Sequence, residues 1–108
     1  MSEQTIQDWL DKVPEHFIPE KAAGVDATVQ FRLTGNQAGE YYVVIRDQKV
    51  RVEKGVAPNP KVTLAADSND ILQILSGKMD GMRAFMQGKL KVNGDMGFAT
   101  KMLNMFKP

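Results

Sequence analysis

Hydrophobic and polar positions follow two periods along this chain. Strict alternation over residues 27–34 predicts a half-buried strand, and residues 41–46, apolar on both faces, suit a central position in a sheet. Asp47-Gln48 predicts a tight turn, so the first three strands form a meander. The predicted strands cover 27–34, 41–46, 50–52, 61–66 and 90–92.

Helical periodicity fills the remaining segments. The spacing predicts an amphipathic helix over 5–13 that is disturbed by Pro14, a second helix carrying Ile71 to Met79, and a terminal helix over 96–107. A short helix between the last two is expected to place Met82, Phe85 and Met86 on one face. Side chains that can cap helix N-termini precede three of these helices: Asp67-Ser68-Asn69, Asp80 and Asp95.

The predicted terminal helix is apolar over about half of its circumference, which is more than a helix needs in order to rest on a sheet. Such a face can also line a cavity or touch a membrane. The apolar half contains Met96, Phe98, Ala99, Met102, Leu103, Met105 and Phe106.

Methionine is concentrated near the C-terminus, with six of the seven methionines between residues 79 and 105. Methionine is flexible and polarizable, so it adapts to irregular apolar shapes. Two interpretations remain open on composition: an ordinary methionine-rich core, or a deformable apolar cavity.

Composition and charge narrow the class of protein. The 108 residues, 43% hydrophobic and 25% charged, indicate one globular domain, and a net charge of +1 argues against general nucleic-acid binding. Residues 1–31 hold six acidic and two basic side chains, whereas residues 78–108 hold six basic and two acidic ones. Transient contact of the C-terminal third with an anionic membrane surface is compatible with that distribution.

Groups for covalent or metal chemistry are scarce. There is no cysteine and His16 is the only histidine, so Cys-His and multi-histidine metal sites are excluded. His16 lies beside Phe17 in a proline-rich segment, and we expect it to be a structural residue and not a catalytic one. We therefore expect a noncatalytic binding protein without a metal or cofactor. The polar N-terminus does not resemble a signal peptide, and no apolar run reaches the length of a membrane span, so the expected location is cytoplasmic.

The segment from Ile74 to Met96, ILSGKMDGMRAFMQGKLKVNGDM, resembles the C-terminal signature of the sterol carrier protein 2 (SCP2, nonspecific lipid-transfer) family. The preceding Pro-Lys-Val-Thr-Leu with its following Asp-Ser also matches, and the resemblance covers essentially the whole chain. It implies an α+β fold in which helices cover one face of a five-stranded mixed sheet and enclose an apolar cavity. The C-terminal Phe-Lys-Pro departs from that of the peroxisomal members, so peroxisomal residence is not inferred.

The resulting hypothesis is a single domain over 1–108 that binds or transfers fatty acids, acyl-CoAs, sterols or similar lipids. Two alternatives remain: an accessory factor that presents an isoprenoid or acyl intermediate to a lipid-metabolism enzyme, and a protein-interaction module using the Met/Phe face. The residues expected to line the cavity are Phe31, Leu33, Leu75, Met79, Met82, Phe85, Met86, Met102, Met105 and Phe106.

Overall fold

A five-stranded mixed sheet forms the centre of the molecule in a computed structural model that describes residues 6–75, 78–103 and 105. The strand order is β3-β2-β1-β4-β5, and every neighbouring pair is antiparallel except β1 and β4, which are parallel. The strands are β1 (Ala27–Thr34), β2 (Gly39–Arg46), β3 (Lys49–Lys54), β4 (Val62–Asp67) and β5 (Leu90–Gly94).

The predicted meander is confirmed. β1, β2 and β3 are consecutive antiparallel neighbours, and the hairpin between β2 and β3 turns at Asp47 and Gln48, with φ of 54° and 59°. Two positive φ values in a two-residue hairpin turn match the right-handed twist of the flanking strands. β2 has a neighbour on each side, although the middle strand of the sheet is β1.

One face of the sheet is apolar across all five strands. In β1 this face carries Val29, Phe31 and Leu33, all buried. The apolar face continues into the neighbouring strands. For example, Phe31 lies opposite Leu64 of β4, and Leu64 lies opposite Val92 of β5. The helices cover this face, and it supplies the floor of the hydrophobic core.

On the opposite face of β1, the connection between β3 and β4 covers Gln30. Gln30 is 2% exposed, and its Nε2 donates to the carbonyl oxygens of Tyr41 (3.1 Å) and Gly55 (2.9 Å). Its Oε1 accepts the backbone N–H of Ala57 at 2.7 Å. A single buried amide thereby fixes the connection that must cross two strands before β4 can pair with β1.

Four α-helices lie within the described residues. They are α1 (Ile6–His16), α2 (Ser68–Leu75), α3 (Gly81–Met86) and α4 (Met96–Leu103). Two 3-10 turns, Pro19–Ala22 and Gly35–Gln37, precede β1 and β2 respectively. No helix in this described part has the length and apolar character needed to cross a membrane.

The first helix runs past the proline that was expected to disturb it. α1 contains Pro14 and ends at His16, and the N–H of Phe17 still donates to the carbonyl of Val13 at 3.0 Å. Proline removes one backbone donor from a helix. Val13 and Phe17, four residues apart and both buried, hold this turn against the core despite that loss.

Two helices are shorter than their periodicity predicted. α2 ends at Leu75 and does not reach Met79, because the N–H groups of Lys78 and Met79 both donate to the carbonyl of Gln73 (2.8 and 3.0 Å). α4 ends at Leu103, and Met105 lies in a turn. The other residues of the predicted C-terminal extension, 104, 106 and 107, lie outside the described residues.

Candidate functional site

The candidate site lies between the apolar face of the sheet and the C-terminal helices. β1 contributes Phe31 and Leu33, α4 contributes Met102, and the turn after it contributes Met105. These four side chains are buried in one hydrophobic cluster. Met79 and Phe85 are partly buried and pack against that cluster.

A backbone hydrogen bond fixes the C-terminal wall. The carbonyl of Met105 accepts the N–H of Ile18 at 2.7 Å, and the N–H of Met105 donates to the carbonyl of Met102 at 3.0 Å. Two buried methionines are therefore held beside the segment that follows α1. Hydrophobic periodicity predicts that the side chains of Met102 and Met105 make apolar contacts. It cannot predict the backbone hydrogen bond between Met105 and Ile18.

The start of α4 is anchored to the beginning of β4. Asp95 Oδ1 accepts the N–H of Phe98 at 2.9 Å, which confirms the predicted N-cap. The N–H of Asp95 donates to the carbonyl of Lys61 at 3.2 Å, and Lys61 Nζ lies 5.6 Å from the centre of the Phe98 ring. The 3.8 Å ion pair between Lys61 and Asp95 is about half exposed, so it contributes little by itself.

The short helix has Met82, Phe85 and Met86 on one face, as expected, but most of that face points away from the core. α3 buries Ala84 completely and leaves Met82 47% and Met86 77% exposed. At about 100° per residue, both methionines lie roughly 160° around the helix from Ala84. Met82 and Met86 therefore face away from the core, and only Phe85 of the predicted trio packs partly against it.

The ten residues predicted to line a cavity fall into three groups. Six belong to or contact the hydrophobic cluster, and Met82 and Met86 are exposed. The Leu75 side chain and Phe106 lie outside the described residues. The six that come together are Phe31, Leu33, Met79, Phe85, Met102 and Met105.

Polar chemistry is sparse around this cluster. In the described ranges, the buried polar side chains are Gln30, which lies on the other face of the sheet, and Ser68. Ser68 Oγ accepts the N–H of Gln37 at 3.2 Å, so it joins α2 to the turn before β2. No group of three or more metal-binding side chains occurs among the described residues. The arrangement is suited to holding an apolar group.

The sequence of this chain is similar to those of several known proteins. The chain is 37% identical over 99 residues to hydroxysteroid dehydrogenase-like protein 2 of Xenopus laevis, and this match covers 90% of the chain and 24% of that protein. It is 31% identical over 100 residues to sterol carrier protein 2 of Bos taurus, with 93% of the chain and 18% of that protein covered. The chain thus spans less than a quarter of the length of these curated relatives.

A solved structure shares the fold over nearly its whole length. The solution structure of palmitated SCP2L2 from Aedes aegypti matches with a TM-score of 0.71 and 20% sequence identity, covering 94% of this chain and 93% of that one. The family model described as the SCP-2 sterol transfer family matches residues 6–107. These matches confirm the expected α+β fold with a five-stranded mixed sheet, and the chain belongs to the SCP-2 sterol transfer family.

Proposed function

We propose that this chain binds one long-chain lipid between the apolar sheet face and the C-terminal helices and carries it between sites. The observation that supports this most directly is the cluster of Phe31, Leu33, Met102 and Met105, with Met79 and Phe85 at its margin. In this cluster, side chains of a rigid strand belong to the same core as flexible methionine side chains of a helix and a turn. Membership of the SCP-2 family implies a lipid ligand for such a face.

The methionines give the proposed site a physical rationale. A dry apolar cavity of about 300 Å³ would cost about 7 kcal/mol at roughly 24 cal/mol per Å³. That cost rivals the stability of ~5–15 kcal/mol typical of a domain. Flexible thioether side chains reduce it, since they can fill space when no lipid is bound and withdraw when a lipid enters.

The expected affinity is modest, which suits a carrier. Burying a chain of roughly sixteen carbons at ~0.8 kcal/mol per methylene gains about 13 kcal/mol. Association costs of about 4–15 kcal/mol offset much of that gain. The apolar lining offers few polar groups for discrimination, so we propose that fatty acids, acyl-CoAs, sterols and similar lipids are all accepted.

The proposed role is noncatalytic and cytoplasmic, and residues 1–108 act as a single lipid-binding domain. One hydrophobic cluster joins α1, the sheet and α4, which supports treating them as one domain. The Aedes aegypti relative is described as palmitated, and we propose a similar acyl ligand here.

Titration with a fluorescent long-chain fatty acid tests this proposal. We expect saturation near one ligand per chain and a rise in melting temperature, because a ligand that binds only the folded state stabilises it. Met102→Trp, which adds bulk at the proposed site, should weaken binding at least about tenfold. The exposed Met96→Trp is the matched control and should bind normally. Equal affinities for both variants, or no saturable binding of fatty acids, acyl-CoAs, sterols or isoprenoids, would contradict the proposal.

A further inference from the structure

α3 presents an exposed apolar pair. Met82 and Met86 lie one helical turn apart on the side of α3 that faces away from buried Ala84. Two large apolar side chains placed together on a surface indicate a contact site more strongly than isolated ones do. Their position outside the hydrophobic cluster separates them from the proposed lipid site.

Three basic residues lie in α3 or within three residues of it along the chain. Lys78, Arg83 and Lys89 are exposed, and none of the three forms an ion pair with a described residue. Asp80 is the one acidic residue between positions 78 and 89, and its Oδ1 accepts the N–H of Met82 at 3.0 Å. The α3 surface, defined here as Lys78, Met82, Arg83, Met86 and Lys89, therefore combines two exposed apolar side chains with three exposed basic ones.

α1 has the opposite character. Its exposed side chains include Asp8, Asp11 and Glu15, with Lys12 as the basic residue among them. The net negative charge of α1 does not complement an anionic surface. The charges therefore favour an approach through α3.

We propose that the α3 surface docks on an anionic lipid bilayer, with Met82 and Met86 entering the interface and the three basic residues contacting headgroups. This inference rests on the proposed lipid-carrier function and names the surface at which the carrier meets its lipid source. The sequence pattern instead suggested membrane contact through the terminal helix, but Met102 and Met105 of that region are buried in the core.

The size of the patch favours a bilayer over a folded protein partner. A stable protein interface buries about 800 Å² on each side, far more than two methionines provide. Membrane contact needs less apolar area because each basic residue near an anionic surface adds about fivefold in partitioning. Methionine also adapts readily to a fluid environment.

Vesicle flotation tests the proposal with the full chain. Vesicles of phosphatidylcholine containing phosphatidylserine are compared with vesicles of phosphatidylcholine alone. We expect binding that requires the anionic lipid and weakens as salt rises. M82S/M86S should lower the partition coefficient at least about tenfold. The control V56S/M96S, at positions 66% and 42% exposed, should leave it unchanged.

The charges are tested separately. R83Q/K89Q should lower partitioning about 25-fold, whereas K49Q/K54Q, which removes two exposed lysines of β3, should have a smaller effect. Equal binding to neutral and anionic vesicles, equal loss in test and control pairs, or no vesicle binding by the wild type would overturn the proposal.

A vesicle-free titration with the fluorescent fatty acid distinguishes failure of this inference from failure of the proposed function. Normal fatty-acid binding by M82S/M86S together with lost flotation supports the α3 surface as a docking site. Flotation that persists in a protein unable to bind fatty acid would remove the carrier function and leave the docking surface. Loss of both in M82S/M86S would overturn docking as a separate role of α3.

Discussion

Replacing Gln30 with leucine should destabilise the fold without changing the affinity of the folded protein for lipid. The Gln30 amide makes three hydrogen bonds, at 3.1, 2.9 and 2.7 Å, and all of them lie on the sheet face opposite the helices. Leucine has similar volume but no polar atom. The buried N–H of Ala57 would then lose the side-chain acceptor that it has in the wild type.

The magnitude follows from the exposure of the three partners. An unsatisfied buried backbone donor costs about 1–3 kcal/mol. Gly55 is exposed, so water can hydrate its carbonyl, and the carbonyl of half-buried Tyr41 adds a smaller loss. A total of about 2–4 kcal/mol corresponds to a melting temperature lower by roughly 10–20 °C for a domain of this size.

Urea unfolding followed by circular dichroism measures this free energy, with fatty-acid titration at low temperature as the second readout. Thr28→Val, a half-buried change on the same face of β1, is the matched control and should shift stability by less than about 0.5 kcal/mol. A Gln30→Leu protein as stable as the wild type would refute the role of the amide in fixing the connection. A folded variant with weakened lipid affinity would refute the claim that the Gln30 face of the sheet serves stability alone and the other face binds lipid.

Gly94→Ala and Asp95→Ala test the structure where β5 leads into α4. Gly94→Ala should cost about 2–4 kcal/mol in thermal unfolding, because Gly94 has φ of 115° and an added Cβ would lie 2.6 Å from the Lys61 carbonyl oxygen. Gly24→Ala, with φ of 75° but no atom within 4 Å of the Cβ, should cost only about 1 kcal/mol, and equal losses would contradict this reasoning. Asp95→Ala should cost about 1 kcal/mol by removing the α4 cap and should speed release of a fluorescent fatty acid in stopped flow. An unchanged melting temperature would show that the cap does not hold α4.

Local patterns predicted much of the fold. The alternation over residues 27–34 gave β1 its observed bounds, and both Asp80 and Asp95 cap helices as their side chains suggested. These features depend on residues close in sequence. The parallel pairing of β1 with β4 and the hydrogen bonds of Gln30 join residues that are distant in sequence, so periodicity alone could not locate them.

The burial of the candidate-site residues was predicted less evenly. Phe31 and Leu33 followed from strand alternation, and Met102 and Met105 followed from the wide apolar half of the terminal helix. α3 has only six residues, which is too short for its methionines to define a buried face. The small Ala84, which carries little weight in a hydrophobic pattern, decides the orientation by packing completely against the core.

Methyl NMR of the methionines tests the central claim most directly. In protein labelled with ¹³C at the methionine methyls, a saturating unlabelled fatty acid should give ligand-to-methyl NOEs at buried Met102 and Met105 and at partly buried Met79. The methyl of exposed Met96 should show none and serves as an internal control. NOEs confined to Met96 and the other exposed methionines, or a saturating ligand that leaves Met102 and Met105 unperturbed, would contradict a lipid site between the sheet and the C-terminal helices.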